Sequence, residues 1–119
     1  EASQDALRAG QAALGRARLA DADQLFGKAV QQDPLNYEAM FGVAQVAYER
    51  ARYTEALEWA RKAAAGRPSP RFHMLIGDAY YKLLRFPESL AAYERAQKLV
   101  KGDNAEIRDR IAKLRAKMK

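Results

Sequence analysis

Apolar residues along the chain recur at helical spacing, and no stretch of useful length alternates between apolar and polar as a half-buried strand would. Breaks in the pattern divide it into segments. Asp33-Pro34 closes one pair of apolar segments, and Asn36 is placed to cap the next helix. Gly66, Pro68, Ser69 and Pro70 break the chain again, with Ser69 an expected N-cap and Pro70 at the first helical position. Pro87 sits near the start of a later helix, where its missing N–H is tolerated. The spacing predicts helices near 3–16, 20–32, 36–50, 54–65, 70–84 and 87–100. A seventh is expected after Gly102 with Asp103 as its cap, its apolar stripe made by Ile107, Ile111, Leu114 and Met118 under a basic outer face.

The pattern also repeats on a longer scale. Ala9-Gly10, Ala13, Leu19, Ala22, Phe26, Ala29 and Pro34 recur 34 residues later as Val43-Ala44, Ala47, Tyr53, Ala56, Ala60, Ala63 and Pro68. All but the proline recur once more, 33 residues on, as Ile76-Gly77, Tyr80, Phe86, Ser89, Tyr93 and Ala96. Small residues recur as small on both helices of each unit (Gly10, Ala44 and Gly77; Ala22, Ala56 and Ser89), which lets paired helix axes approach closely. Phe26 and Tyr93 are then expected to fill the space towards the neighbouring unit. A unit of this kind cannot bury its second face alone, so units stack and the last face needs a cover.

A helix–turn–helix unit of this length, with Ile76-Gly77-x-x-Tyr80, Ser89-x-x-x-Tyr93-x-x-Ala96 and a closing Pro34 or Pro68, resembles the tetratricopeptide repeat (TPR). The resemblance covers residues 3 to about 102, and the final helix is similar to the solvating helix that follows such arrays. It departs at Ser89 for the usual Ala, at Ala60 for the usual aromatic, and at Lys101 for the closing Pro. The fold it implies is all-α: a right-handed TPR superhelix of three helix–turn–helix repeats with a seventh solvating helix. One domain is expected over residues 1–119, with repeats near 3–36, 37–69 and 70–102 and a capping helix over 103–119.

Composition agrees with a helical fold. Twenty-five alanines stand against 4 prolines and 7 glycines in 119 residues, and Ala is the best helix former. Apolar residues at 49% and charged residues at 30% suit a globular domain, and no apolar run is long enough to span a membrane. With no signal-like start, a cytoplasmic location is expected; opening on Glu1 rather than Met, the chain is expected to be an excised piece. Its Ala/Arg-rich usage is similar to TPR segments of large bacterial signalling, motility or secretion proteins.

Little here could carry catalysis. Zero cysteines and the single His73 remove thiolate chemistry and multi-histidine metal sites, so no metal and no cofactor is expected. Gly10 to Gly15 has a phosphate-loop glycine spacing, but Arg16 and Ala17 stand where Lys and Ser/Thr are required, within a helix. Asp21/Asp23 and Glu55/Glu58 suit the positive ends of helix dipoles better than acid–base work. His73 is expected to be a partly buried structural residue. Trp59, beside the Ala60 that takes the aromatic slot, is either packed into the volume Ala60 leaves or exposed as an anchor on the convex side. No nucleophile, base and orienter assemble, and an enzyme is not expected.

The resemblance implies that the first helix of each unit lines a concave groove. Carried over residue by residue, the groove set is Gln4, Leu7, Gln11 and Leu14; Glu38, Phe41, Gln45 and Tyr48; and Arg71, Met74, Asp78 and Tyr81. Leu7 and Leu14 could instead finish the core between units. TPR co-chaperones grip the C-terminal carboxylate of Hsp70 or Hsp90 with Lys, Asn, Asn, Lys and Arg; the matching positions read Leu7, Gln11, Gly42, Arg71 and Leu75. A carboxylate there would be desolvated without its donors, so that partner is not expected.

The implied function is a protein–protein interaction or scaffolding module that takes a peptide or helical segment in this groove, with Phe41, Met74, Tyr48 and Tyr81 as anchors and Gln45 on backbone polar groups. Two rivals follow from the C-terminal third, which is the positive end: residues 71–102 and 103–119 each stand at +3 within a total of +6, against −1 for residues 1–36. One is a nucleic-acid or polyanion partner, disfavoured because no base-stacking aromatics interleave with the basic residues. The other is self-association, with the last helix docked into a neighbouring copy.

Overall fold

The computed structural model describes residues 1–119, as seven α-helices and no strand. They are α1 (Ala2–Gly15), α2 (Leu19–Gln32), α3 (Tyr37–Glu49), α4 (Tyr53–Gly66), α5 (Pro70–Lys82), α6 (Phe86–Leu99) and α7 (Ala105–Lys117). Helices pack in antiparallel pairs, α1 with α2, α3 with α4 and α5 with α6, and the pairs stack through α2 on α3 and α4 on α5, with α7 against α6. None is long and apolar enough to cross a membrane.

Of the three expected caps, one makes its bond, one marks the position without a bond and one is displaced by a residue. Asn36 caps α3, its Oδ1 accepting from the Ala39 N–H at 3.1 Å. Its Nδ2 also donates to Ser3 Oγ at 2.8 Å, and Ser3 Oγ donates to the Ala29 carbonyl at 2.7 Å, so one buried pair of side chains ties α1, α2 and α3. Ser69 has the extended backbone of a cap but makes no capping bond, and Pro70 at the first position fixes the start of α5. The cap of α7 is Asn104, not Asp103. Burial of Ile107 sets the register, and Asn104 is the residue three before it, its Oδ1 accepting from the Ile107 N–H at 3.0 Å. Asp103 pairs with Arg108 instead.

Each pair turns through the same left-handed residue. Ala17, Ala51 and Leu84 have φ of 59°, 60° and 61°, spaced by the repeat. In each turn two backbone bonds close the helix: Arg18 to Ala13 and Ala17 to Leu14, then Arg52 to Ala47 and Ala51 to Tyr48, then Arg85 to Tyr80 and Leu84 to Tyr81. This is the Schellman arrangement, made here without the glycine that usually relieves it. It also ends α5 at Lys82, two residues before the helical pattern does.

The core is three apolar clusters in a row. At the first seam, Phe26 is fully buried between Gly10 and Gly42; a Cβ on either glycine would lie within 2.8 Å of its ring. At the second seam the sizes are reversed. Ala60 holds the place of Phe26, Leu75 holds that of Gly42, and Phe72 adds a fully buried ring. Trp59 is half-buried and packs against both the first and second clusters. Tyr93 lies over Gly77, and the fully buried Ser89, standing where the repeat prefers Ala, is satisfied by donating to the Gly77 carbonyl at 2.7 Å. Ile107, Ile111 and Leu114 complete the third cluster with Tyr93 and Ala96. Met118, the fourth member of the expected stripe, is 42% exposed, because α7 ends at Lys117 and carries it past the edge of α6.

Candidate functional site

The trough runs along α1, α3 and α5 and is closed at one end by α7. Gln11, Leu14, Glu38, Gln45 and Arg71 line a first stretch of about 340 Å³. Leu14 and Gln45 continue into a second of about 510 Å³ with Tyr48, Leu75, Asp78 and Arg110. Tyr48, Asp78 and Arg110 carry on into a third of about 230 Å³ with Tyr81 and Lys113. Shared walls make these one groove, because helical residues one turn apart present the same face.

Two of the expected groove residues are core instead. Leu7 is 7% and Phe41 4% exposed. Leu7 faces the first cluster, and the Phe41 ring lies 4.6 Å from that of Phe72, beneath the groove floor. Gln4 is exposed on the first turn of α1 and lines none of the three stretches. Met74 is half-buried and spends its side chain on the third cluster. Tyr81 is half-buried too, with Phe86 at 5.5 Å and the Lys117 ammonium 5.9 Å above its ring. Of the expected set, Gln11, Leu14, Glu38, Gln45, Tyr48, Arg71, Asp78 and Tyr81 are therefore the side chains that line the open trough.

Charge in the groove is largely internal. Glu38 meets Arg67 at 3.4 Å and Arg71 at 3.5 Å, and Arg71 also lies 5.0 Å over the Phe41 ring. Asp78 is a hub: its Oδ1 accepts from the Tyr93 hydroxyl at 2.5 Å and from Arg110 Nε at 3.0 Å. Burial opposes the charge on Arg110, but Asp78 and Glu106 outweigh it and raise its pKa. The Tyr93 hydroxyl is pushed up by burial and then by the Asp78 bond. Tyr48 is raised to about 12 by burial and then by the negative Asp78, so it enters the groove as a neutral donor. Arg110 and Lys113 were not in the expected set. They arrive from α7, outside the repeat register that generated it.

His73 is half-buried as expected, on the convex side between α4 and α6, and its pKa is lowered by burial and then by Arg95. The glycine spacing of Gly10 to Gly15 lies within α1, where backbone N–H groups are spent on the helix.

A helix-pair solenoid with a concave trough and a covering last helix is a familiar arrangement, and the sequence matches the tetratricopeptide repeat over residues 7–70 and 64–104. The chain belongs to the TPR family. Solved TPR domains share its fold: the Arabidopsis OM64 TPR domain superposes with a TM-score of 0.92 at 21% identity, covering 98% of this chain and 96% of that one. The first TPR of Spaghetti (RPAP3), bound to the HSP90 peptide SRMEEVD, gives 0.93 at 19%, covering 98% and 93%. The Yersinia enterocolitica type III secretion chaperone SycD, in complex with a peptide of the translocator YopD, gives 0.90 at 13%, covering 98% and 94%. No curated protein matches the chain by sequence.

Proposed function

We propose that this TPR domain is a non-enzymatic interaction module that holds a peptide or helical segment of a protein partner along its concave groove. The observation that carries this is the continuous trough from Gln11 and Leu14 through Gln45 and Tyr48 to Asp78 and Tyr81. Leu14 and the aromatic faces of Tyr48 and Tyr81 anchor apolar side chains, while Gln45 and the neutral Tyr48 hydroxyl meet backbone polar groups. The peptide complexes of the Spaghetti and SycD domains support the same use of this fold.

A terminal carboxylate of the Hsp70/Hsp90 kind is a poor fit. Of the five positions matching that clamp, Leu7 and Leu75 are buried hydrophobics, Gly42 has no side chain, and Arg71 is engaged by Glu38. The basic C-terminal third is a weaker candidate than its net charge suggests. Arg108, Arg110 and Arg115 pair with Asp103, Asp78 and Glu94 respectively. Self-association through the stripe of α7 is likewise disfavoured, since Ile107, Ile111 and Leu114 are covered by their own chain.

The test is retention of partner protein by the intact domain and by a Gln45→Ala/Tyr48→Ala double variant, at low and high salt. Loss in the double variant with little salt dependence is expected. A ligand indifferent to the double variant but released by modest salt, with log K falling at about −0.9 per phosphate contact against log salt, would replace this reading with the polyanion one.

A further inference from the structure

The outer side of the second seam carries a cleft that the groove does not use. α4 and α6 form its walls and α5 its floor, and it encloses about 580 Å³ with Ala64, Ala92, Ile76 and Tyr80 among its apolar lining. The internal repeat supplies a comparison. The register that aligns Phe26, Ala60 and Tyr93 places Leu25, Trp59 and Ala92 at one equivalent position, and Met40 opposite His73. At the first seam that position is Trp59, whose ring packs against two clusters. At the second it is Ala92, and the space that an indole takes one unit earlier is open.

The rim is cationic. Arg61 on α4 and Arg95 on α6 line the cleft, and neither forms an ion pair within the chain. The carboxylate that also lines it, Glu88, is already held by Arg85 at 2.8 Å. His73 stands in the floor, on α5, with its pKa lowered by burial first and by Arg95 second. An apolar floor under two uncompensated guanidinium groups is complementary to an apolar side chain flanked by carboxylates.

We propose that this convex cleft docks a partner polypeptide segment that inserts one bulky aromatic side chain between α4 and α6 and sets acidic residues against Arg61 and Arg95. The aromatic does for the second seam what Trp59 does for the first. The surface lies on the opposite side from Tyr48 and Gln45, so it adds a second contact to a groove-bound partner or takes an independent one.

The experiment is an amide NMR titration of the 119-residue chain with an acetylated, amidated peptide bearing one Trp flanked on each side by two Asp, and with a counterpart in which Lys replaces Asp. Shifts centred on Ala64, Ile76 and Ala92 are expected with the acidic peptide and not with the basic one. Ala92→Trp, filling the cleft from within, should abolish them with the helical fold retained by circular dichroism. Arg95→Glu, at an exposed position, should weaken binding at least tenfold, since it removes one charge-assisted contact and sets a like charge against the peptide. Shifts confined to Gln45 and Tyr48, no shifts at all, equal binding of both peptides, or indifference to Arg95→Glu would each overturn the proposal. Shifts at Gln45 and Tyr48 would mean that the peptide occupies the concave groove instead; the other outcomes leave the groove reading as it stands.

Discussion

Two glycines of similar helical context should respond oppositely to the same substitution. A Cβ at Gly42 would sit 2.5–2.6 Å from three carbons of the Phe26 ring, about 1 Å inside ordinary carbon–carbon contact. The ring cannot retreat, because it is fully buried and Gly10 bounds its other face, where a Cβ would lie 2.8 Å away. Overpacking of this kind costs about 1–3 kcal/mol, and replacing a helical glycine by alanine returns about 1 kcal/mol. With the ring held from both sides the overpacking cost falls towards the top of that range, so Gly42→Ala should lose up to about 2 kcal/mol net. Gly27 also lies within a helix, α2, but a Cβ there meets nothing within 4 Å, so Gly27→Ala should gain up to about 1 kcal/mol. Chemical denaturation followed by circular dichroism resolves both. The mechanism has a sharper signature: in a Phe26→Leu background the smaller side chain vacates the ring's place, and Gly42→Ala should turn neutral or stabilising. If Gly42→Ala matched Gly27→Ala, or kept its full cost without the phenyl ring, the close-approach argument would be wrong.

Other consequences are open to measurement. Ala51→Gly relieves a left-handed alanine and should raise stability by about 1 kcal/mol, whereas the same change at the helical, buried Ala56 should lower it. Because the folded His73 has a lowered pKa, the unfolded chain takes up the proton first; stability should be intact above the unfolded value of about 6.5 and fall as pH drops through it. His73→Met, which copies Met40 in the preceding unit, should flatten that slope in thermal melts recorded on either side of that value. Deleting residues 103–119 bares the face made by Tyr93 and Ala96 and removes three buried side chains worth roughly 1.5–3 kcal/mol each before ordering costs, so the melting temperature should drop and association should rise in light scattering.

The sequence carries the helices, their pairing and the covering role of α7, because these rest on spacing and on small residues that recur in register. The groove was legible only in part, and the failures have physical causes. Phe41 sits where the register puts a groove anchor, but Phe72, at a place occupied by Asp5 and Ala39 in the other units, draws its ring into the core at 4.6 Å. A residue that breaks the repeat could not be anticipated from the repeat. Arg110 reaches Asp78 because of the angle at which α7 docks, and that angle depends on Tyr93, Ala96 and the position of Ile107 together. The left-handed Ala17, Ala51 and Leu84 gave no signal either, since the residue types do not favour the conformation that the closing backbone bonds impose.

The reversal of sizes between the two seams bears on how the units find their neighbours. A tandem array of similar hairpins risks pairing out of order, within one chain or between two, because each apolar face offers much the same surface. Here the faces are keyed. The Phe26 ring needs the bare backbone of Gly42, and against α5 it would meet Leu75, which stands in the equivalent place. Conversely, Ala60 pressed against α3 would face Gly42 and leave a void where Phe26 belongs. The first wrong pairing makes a clash and the second a cavity, and each costs about 1–5 kcal/mol, a large share of a small domain's stability. The departure from the repeat pattern at Ala60 thus works as an address, so that the order of the units is written in their cores.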